Sequence, residues 1–164
     1  MELAAERKIW KLIKDEDTAL LITVRKDGSF DSRLMGCVQR EFDGRLWFLI
    51  LKDSPKSLEV ERNQHALVSY TRPSNGEFVS ISGRARLIDN PAQVHAFWSE
   101  ALRVWFPDGP DSSNLALLAI EVEVAKLWTK PTSYTYYYLR TRPTGDLLSQ
   151  IKERETAPAL HAAL

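Results

Sequence analysis

Apolar positions along this chain change period several times, and each change marks an element. Near the start, Ala4, Ile9, Trp10, Leu12 and Ile13 recur at helical spacing among Glu, Arg and Lys, which predicts an amphipathic helix ending near Asp15 to Asp17. Thr18 to Arg25 is rich in β-branched and aliphatic residues, and Lys26-Asp27-Gly28 supplies an Asp-Gly turn. Phe30 to Phe42 reads as the returning strand, and Asp43-Gly44 turns the chain again. Leu46 to Leu51 is then an apolar run short enough to be a strand buried on both faces. These three strands are expected to form an antiparallel meander.

Ser54 stands just before Pro55, with acidic residues following, which is a helix start; a short helix through Arg62 is predicted. Ala66 to Thr71 reads as a fourth strand, Asn75-Gly76 as a hairpin turn, and Phe78 to Ile88 as a fifth strand by its alternation. Asn90-Pro91 opens a second amphipathic helix through Val94, Phe97, Trp98 and Leu102, which Phe106-Pro107-Asp108-Gly109-Pro110 breaks. Leu115 to Leu127 carries a sixth strand. About six short antiparallel strands and three helices argue for a mainly β fold, a small Greek-key or split barrel with peripheral helices. The domain is expected to span residues 1–140. Tyr134 to Arg140 has strand propensity, and residues 141–164 read as a polar or small-residue tail with little drive to order.

The charge balance removes several function classes. The 164 residues carry 22 basic and 22 acidic side chains in alternation, so no basic stripe exists to attract nucleic acid. Residues 1–15 are charged and amphipathic, unlike a signal peptide or a membrane span, so a cytoplasmic protein with no membrane partner is expected. Cys37 is the only cysteine, which excludes intrachain disulfides, and in a strand it ordinarily serves as a small buried hydrophobe. His65, His95 and His161 lack ligand spacing, so no metal is predicted.

No nucleophile triad or phosphate-binding glycine loop is visible. What remains is a set of cationic and hydroxyl residues at strand ends and a helix start: Ser32-Arg33 on the second strand, then Ser54 and Lys56 straight after the third. An Arg fork, a Lys point charge and the N–H groups of a helix start together suit a terminal phosphate. Taken singly, Arg33 and Lys56 read as ordinary surface charges and Ser54 as a helix cap.

Read in order, Thr23-x-x-x-x-Asp27-Gly28, Ser32-Arg33-Leu34-Met35, Asp43-Gly44-x-Leu46-Trp47-Phe48-Leu49, Ser54-x-Lys56, Val79-Ser80-Ile81-Ser82-Gly83 and Trp105-Phe106-Pro107-x-Gly109 resemble the general stress protein branch of the pyridoxamine 5'-phosphate oxidase-related superfamily. The resemblance runs from about Asp15 to Trp128. It implies an antiparallel FMN-binding split barrel of Greek-key type that works as a homodimer, with two flavins in clefts at the interface. Carried over position by position, Arg33, Lys56 and Ser54 would hold the FMN phosphate, with Leu34 and Met35 beside them. Trp47, Phe48, Leu49 and Ile50 would run along the isoalloxazine ring. Trp98, Trp105, Phe106 and Trp128 would close the cleft or serve as core and dimer contacts, and Trp105 is the choice if one of them stacks on the ring. Two positions depart from the pattern: Ile50 stands where Thr or Ser is usual, removing a hydroxyl, and Leu34 stands where Pro is frequent.

A flavin brings its own redox chemistry, so no conspicuous catalytic acid or base is needed, and no catalytic residue is assigned. Two functions fit: an FMN-dependent oxidoreductase served by a small-molecule electron donor or acceptor, or a non-enzymatic flavin-binding stress protein. An open cleft also admits FAD, its adenylate protruding. Pyridoxamine phosphate oxidase activity itself is disfavoured, because the tail from Ala157 to Leu164 carries no arginine for a substrate phosphate. Deazaflavin F420 would want a longer cationic groove, and haem an axial His.

Overall fold

The computed structural model describes residue 7, residues 10–129 and, as strand backbone, residues 138–141 and 147–148. A helical turn over residues 10–13 buries Leu12 and Ile13 and leads into β1 (Thr18–Val24). Gly28, at φ 84°, turns the chain into β2 (Phe30–Gly36) through the left-handed region that its missing Cβ makes accessible. Then follow β3 (Arg45–Leu51), α1 (Pro55–Arg62), β4 (His65–Arg72) and β5 (Glu77–Ile88). After α2 (Pro91–Phe97) come a 3-10 turn (Glu100–Val104), β6 (Leu115–Trp128), β7 (Tyr138–Thr141) and β8 (Leu147–Leu148). The second predicted helix is thus two pieces, broken at Trp98 and Ser99. The tyrosine positions 134–137, and all of the 141–164 tail apart from Thr141 and the two residues of β8, lie outside the described residues.

The strands form one antiparallel sheet in the order β2-β1-β4-β5-β6-β7-β8, and β3 pairs β6. This corrects the expected meander: among the described residues β2 pairs β1 alone, and β3 crosses to β6, with Leu46 opposite Ile120 and Phe48 opposite Leu118. The physical reason lies in the apolar run. A strand buried on both faces needs cover on both, and only the similarly apolar start of β6 offers a partner with cover on each side. The returning strand also stops at Gly36, short of Phe42, where the Cys37 N–H donates to the Asp17 carbonyl at 2.9 Å. The sheet thereby curls into a split barrel, mainly β, open between β2 and β3.

Alternation sorts the side chains into two cores. Leu21, Leu46, Phe48, Ile50, Val68, Ile81 and Ile120 fill the barrel, whereas Trp47, Leu49, Leu115 and Leu117 face outward under Val94 and Phe97 of α2. Trp47 stacks on Phe97 with ring centroids 5.4 Å apart. Gly83 sits at a bulge between β5 and β6, where a Cβ would run into the Glu121 carbonyl oxygen. At the rim of the barrel core Cys37 is half-buried, and burial pushes its thiol up to about 12. Arg84 and Arg86 are exposed and paired with Glu123 and Glu121, as solvent-face residues should be. Among the described residues no helix is long and apolar enough to cross a membrane.

Candidate functional site

The opening between β2 and β3 is the candidate site. Two strand edges face one another there without pairing, and the 3-10 turn with Trp105 and Phe106 forms the third wall. The cleft is narrow, about 60 Å³. Arg33, Leu34 and Met35 line it from β2, Leu49 and Ile50 from β3, and Trp105 from the turn. Six of the ten sequence-predicted site residues therefore meet at one place. Gly36, Val38, Leu51, Leu102 and Phe106 complete the lining.

Backbone groups supply the polarity that this apolar lining lacks. The Trp47 N–H faces the open side of β3, where it donates to Gln39 Oε1 at 3.3 Å, and Gln39 Nε2 donates to the Arg45 carbonyl at 2.8 Å. Backbone groups two residues further along an antiparallel strand point the same way, so the Leu49 N–H and C=O face the cleft. Gln39 was not picked out by sequence reasoning, since a single Gln in a loop carries no pattern. Trp105 is 60% exposed at the mouth, beside Val104 at 86%. Arg33 is also exposed and, among the described residues, has no ion pair.

The other four residues lie outside the lining. Trp47 and Phe48 are buried in the two cores; Trp47 Nε1 donates to the Asp43 carboxylate at 3.1 Å. Ser54 caps α1: its Oγ accepts from the Ser57 N–H at 3.3 Å. Lys56 is 3% exposed, and its ammonium donates to Thr23 Oγ1 at 3.0 Å, Asp31 Oδ2 at 2.7 Å and Glu59 Oε2 at 3.0 Å. The Thr23 hydroxyl in turn donates to Glu59 Oε2 at 2.6 Å. The hydrogen bond from Lys56, above the other influences, holds the Asp31 carboxyl below its ordinary value.

A larger groove of about 420 Å³ opens on the outer face of the sheet, lined by Ile22, Val24, Phe30 and Leu67 with His65, Ser82 and Glu123. Its one formal charge is a carboxylate, so it does not suit an anionic ligand. The β2–β3 cleft, with Arg33 and inward-facing backbone groups, is the better match to a planar polar ring with an anionic tail. Among the described residues no cluster of His, Cys, Asp and Glu is arranged to hold a metal.

The family profile described as "Pyridoxamine 5'-phosphate oxidase like" matches residues 4–144. The chain belongs to the pyridoxamine 5'-phosphate oxidase-like family. Within it, General stress protein 26 of Bacillus subtilis is 30% identical over 126 residues, covering 74% of this chain and 86% of that protein. The crystal structure of General Stress Protein 26 from Bacillus anthracis superposes with a TM-score of 0.71 at 24% identity, over 86% of this chain and 100% of that one. The general stress FMN/FAD binding protein from Xanthomonas citri gives 0.67 at 24% identity, over 93% and 98%. Three of the motifs quoted above fall around the split: Ser32 to Met35 on β2, Leu46 to Leu49 on β3, and the motif that begins at Trp105, whose Trp105 and Phe106 belong to the third wall.

Proposed function

We propose that the β2–β3 cleft binds a flavin, FMN or FAD, and that the protein is a flavin-dependent oxidoreductase linked to the stress response. The supporting observation is the lining itself: an apolar slot between two unpaired strand edges with one exposed arginine at its side. The ring would lie along Leu34, Leu49 and Ile50 with its polar edge on the Leu49 backbone groups, and Arg33 would take the phosphate. Bound flavin would supply the electron transfer; the protein's own residues bind, orient and shield it.

The cleft is too small to enclose such a ring, so its outer side needs a second wall. We assign that wall to a second copy of the chain. Leu20, Phe30, Leu34 and Leu67 lie on one face of β1, β2 and β4 and are exposed by 39%, 74%, 54% and 37%, and Leu34 belongs to this patch and to the cleft at once.

A non-enzymatic flavin holder is the second reading, favoured because the described residues that line the cleft include no carboxylate or imidazole. An absorption titration with FMN, FAD and F420, followed by anaerobic NADH or NADPH, decides between them. Tight FMN or FAD binding with bleaching of the flavin band supports the oxidoreductase, binding without bleaching by either donor supports the holder, and no flavin binding overturns both. Arg33→Ala should weaken FMN binding by about tenfold or more, the worth of a charge-assisted contact; unchanged affinity removes Arg33 from the site.

A further inference from the structure

The Lys56 ammonium has three N–H donors, and all three are used. Two of its acceptors, Thr23 and Glu59, are buried and bonded to one another. The third, Asp31, differs. Its side chain is 32% exposed and its other oxygen is held by Arg25 Nη2 at 2.7 Å. Asp31 could therefore release Lys56 and remain paired. Of the three groups that hold Lys56, Asp31 is the most exposed, so an anion reaching Lys56 from solvent would take the place that the Asp31 carboxylate occupies.

That place adjoins the cleft. Asp31 and Arg33 are two positions apart on β2, so their side chains share a face about 6.6 Å apart along the strand. Their partners across the ladder, Thr23 and Leu21, share the corresponding face of β1. A phosphate held by Arg33 thus stands next to a carboxylate that occupies the neighbouring cation.

We propose that Asp31 is a built-in competitor for the phosphate of the bound ligand. It fills the Lys56 position that a phosphate oxygen would take and thereby sets how strongly the site prefers a phosphorylated flavin to riboflavin. The inference rests on the flavin reading above. Binding of the phosphate moves Asp31 wholly onto Arg25, and the displaced contact and the residual repulsion between two anions both reduce the gain from the phosphate. The isoalloxazine contacts are untouched by Asp31, so riboflavin does not sense it.

The test is equilibrium titration of the full-length protein and its Asp31→Asn and Asp31→Ala variants with FMN and with riboflavin, followed by flavin fluorescence. Ala is included because Asn keeps an acceptor for Lys56. FMN affinity is expected to rise about tenfold in at least the Ala variant, with riboflavin affinity changed less than about twofold. Binding of both flavins with an unchanged FMN-to-riboflavin ratio in both variants overturns the inference and leaves the flavin reading standing. A fall in FMN affinity alone also overturns it, making Asp31 an organiser of the phosphate site instead. If neither flavin binds the unmodified protein, the flavin reading fails and this inference with it.

Discussion

Lys56 and Glu59 stand 3.0 Å apart on successive turns of α1, and both are bonded to Thr23 on β1. The ring they form ties a helix of 8 residues, too short to be stable alone, to the hairpin that carries half of the cleft. Removing one member of a buried ion pair leaves the other charge without compensation. Lys56→Met should therefore lower the unfolding free energy by about 3–5 kcal/mol. Urea denaturation measures it, and a loss under about 1 kcal/mol would mean that solvent already screens the cluster.

Cys37 makes an alkaline prediction. Its thiol is raised from 9.0 to about 12, first by burial, with Glu16 and Asp17 adding to the effect and Tyr70 opposing it. A group with a raised folded-state value holds its proton longer when folded, so its stabilising contribution is complete below about pH 9 and is lost as pH climbs towards 12. Stability should decline across that window, and Cys37→Ala should flatten part of the decline. The folded protein should also resist iodoacetamide at pH 8, since the thiolate fraction there is about one in ten thousand. Rapid alkylation of folded protein at that pH would contradict the assignment.

The exposed apolar patch makes a prediction about assembly. Phe30 is 74% exposed on the same face as Leu20 and Leu34 but outside the cleft lining, so it tests association without touching the proposed ligand contacts. Sedimentation velocity at micromolar concentration should show a dimer for the unmodified chain. Phe30→Asp should raise its dissociation constant by about thirtyfold or more, as expected when a charge replaces a central interface ring. A monomeric unmodified protein at about 100 μM would remove the second wall from the proposed site.

Most elements are legible in the sequence because each rests on local chemistry. Ser54-Pro55 starts α1, Asp27-Gly28 makes the first hairpin, and the alternation of Phe78 to Ile88 gives β5. Long-range pairing is different, since nothing within Leu46 to Leu51 says that its partner lies some 70 residues on at Leu115 to Glu121. The site divides in the same way. Arg33, Leu34, Met35, Leu49 and Trp105, which line the cleft, stand in motifs, but the fate of the Lys56 ammonium depends on Thr23, Asp31 and Glu59, residues from three elements that only the fold brings together. A lysine after a buried strand looks the same in sequence whether its charge is available or already engaged.

The split in the barrel also bears on aggregation. Unpaired strand edges are templates on which another chain can lay a strand, and this molecule exposes two of them face to face. The β3 edge is largely closed: Gln39 occupies it at Arg45 and Trp47, and the Leu51 carbonyl accepts from Ser57 Oγ at 2.6 Å. Between these plugs the Trp47 carbonyl, the N–H and C=O of Leu49 and the Leu51 N–H face the opening, with the charge of Arg33 guarding the opposite edge. So short a stretch of open ladder, plugged at both ends, is a poor template for a further β-strand. The same two plugs that narrow the opening let the protein keep it open in a crowded cell without offering itself as the first layer of a fibril.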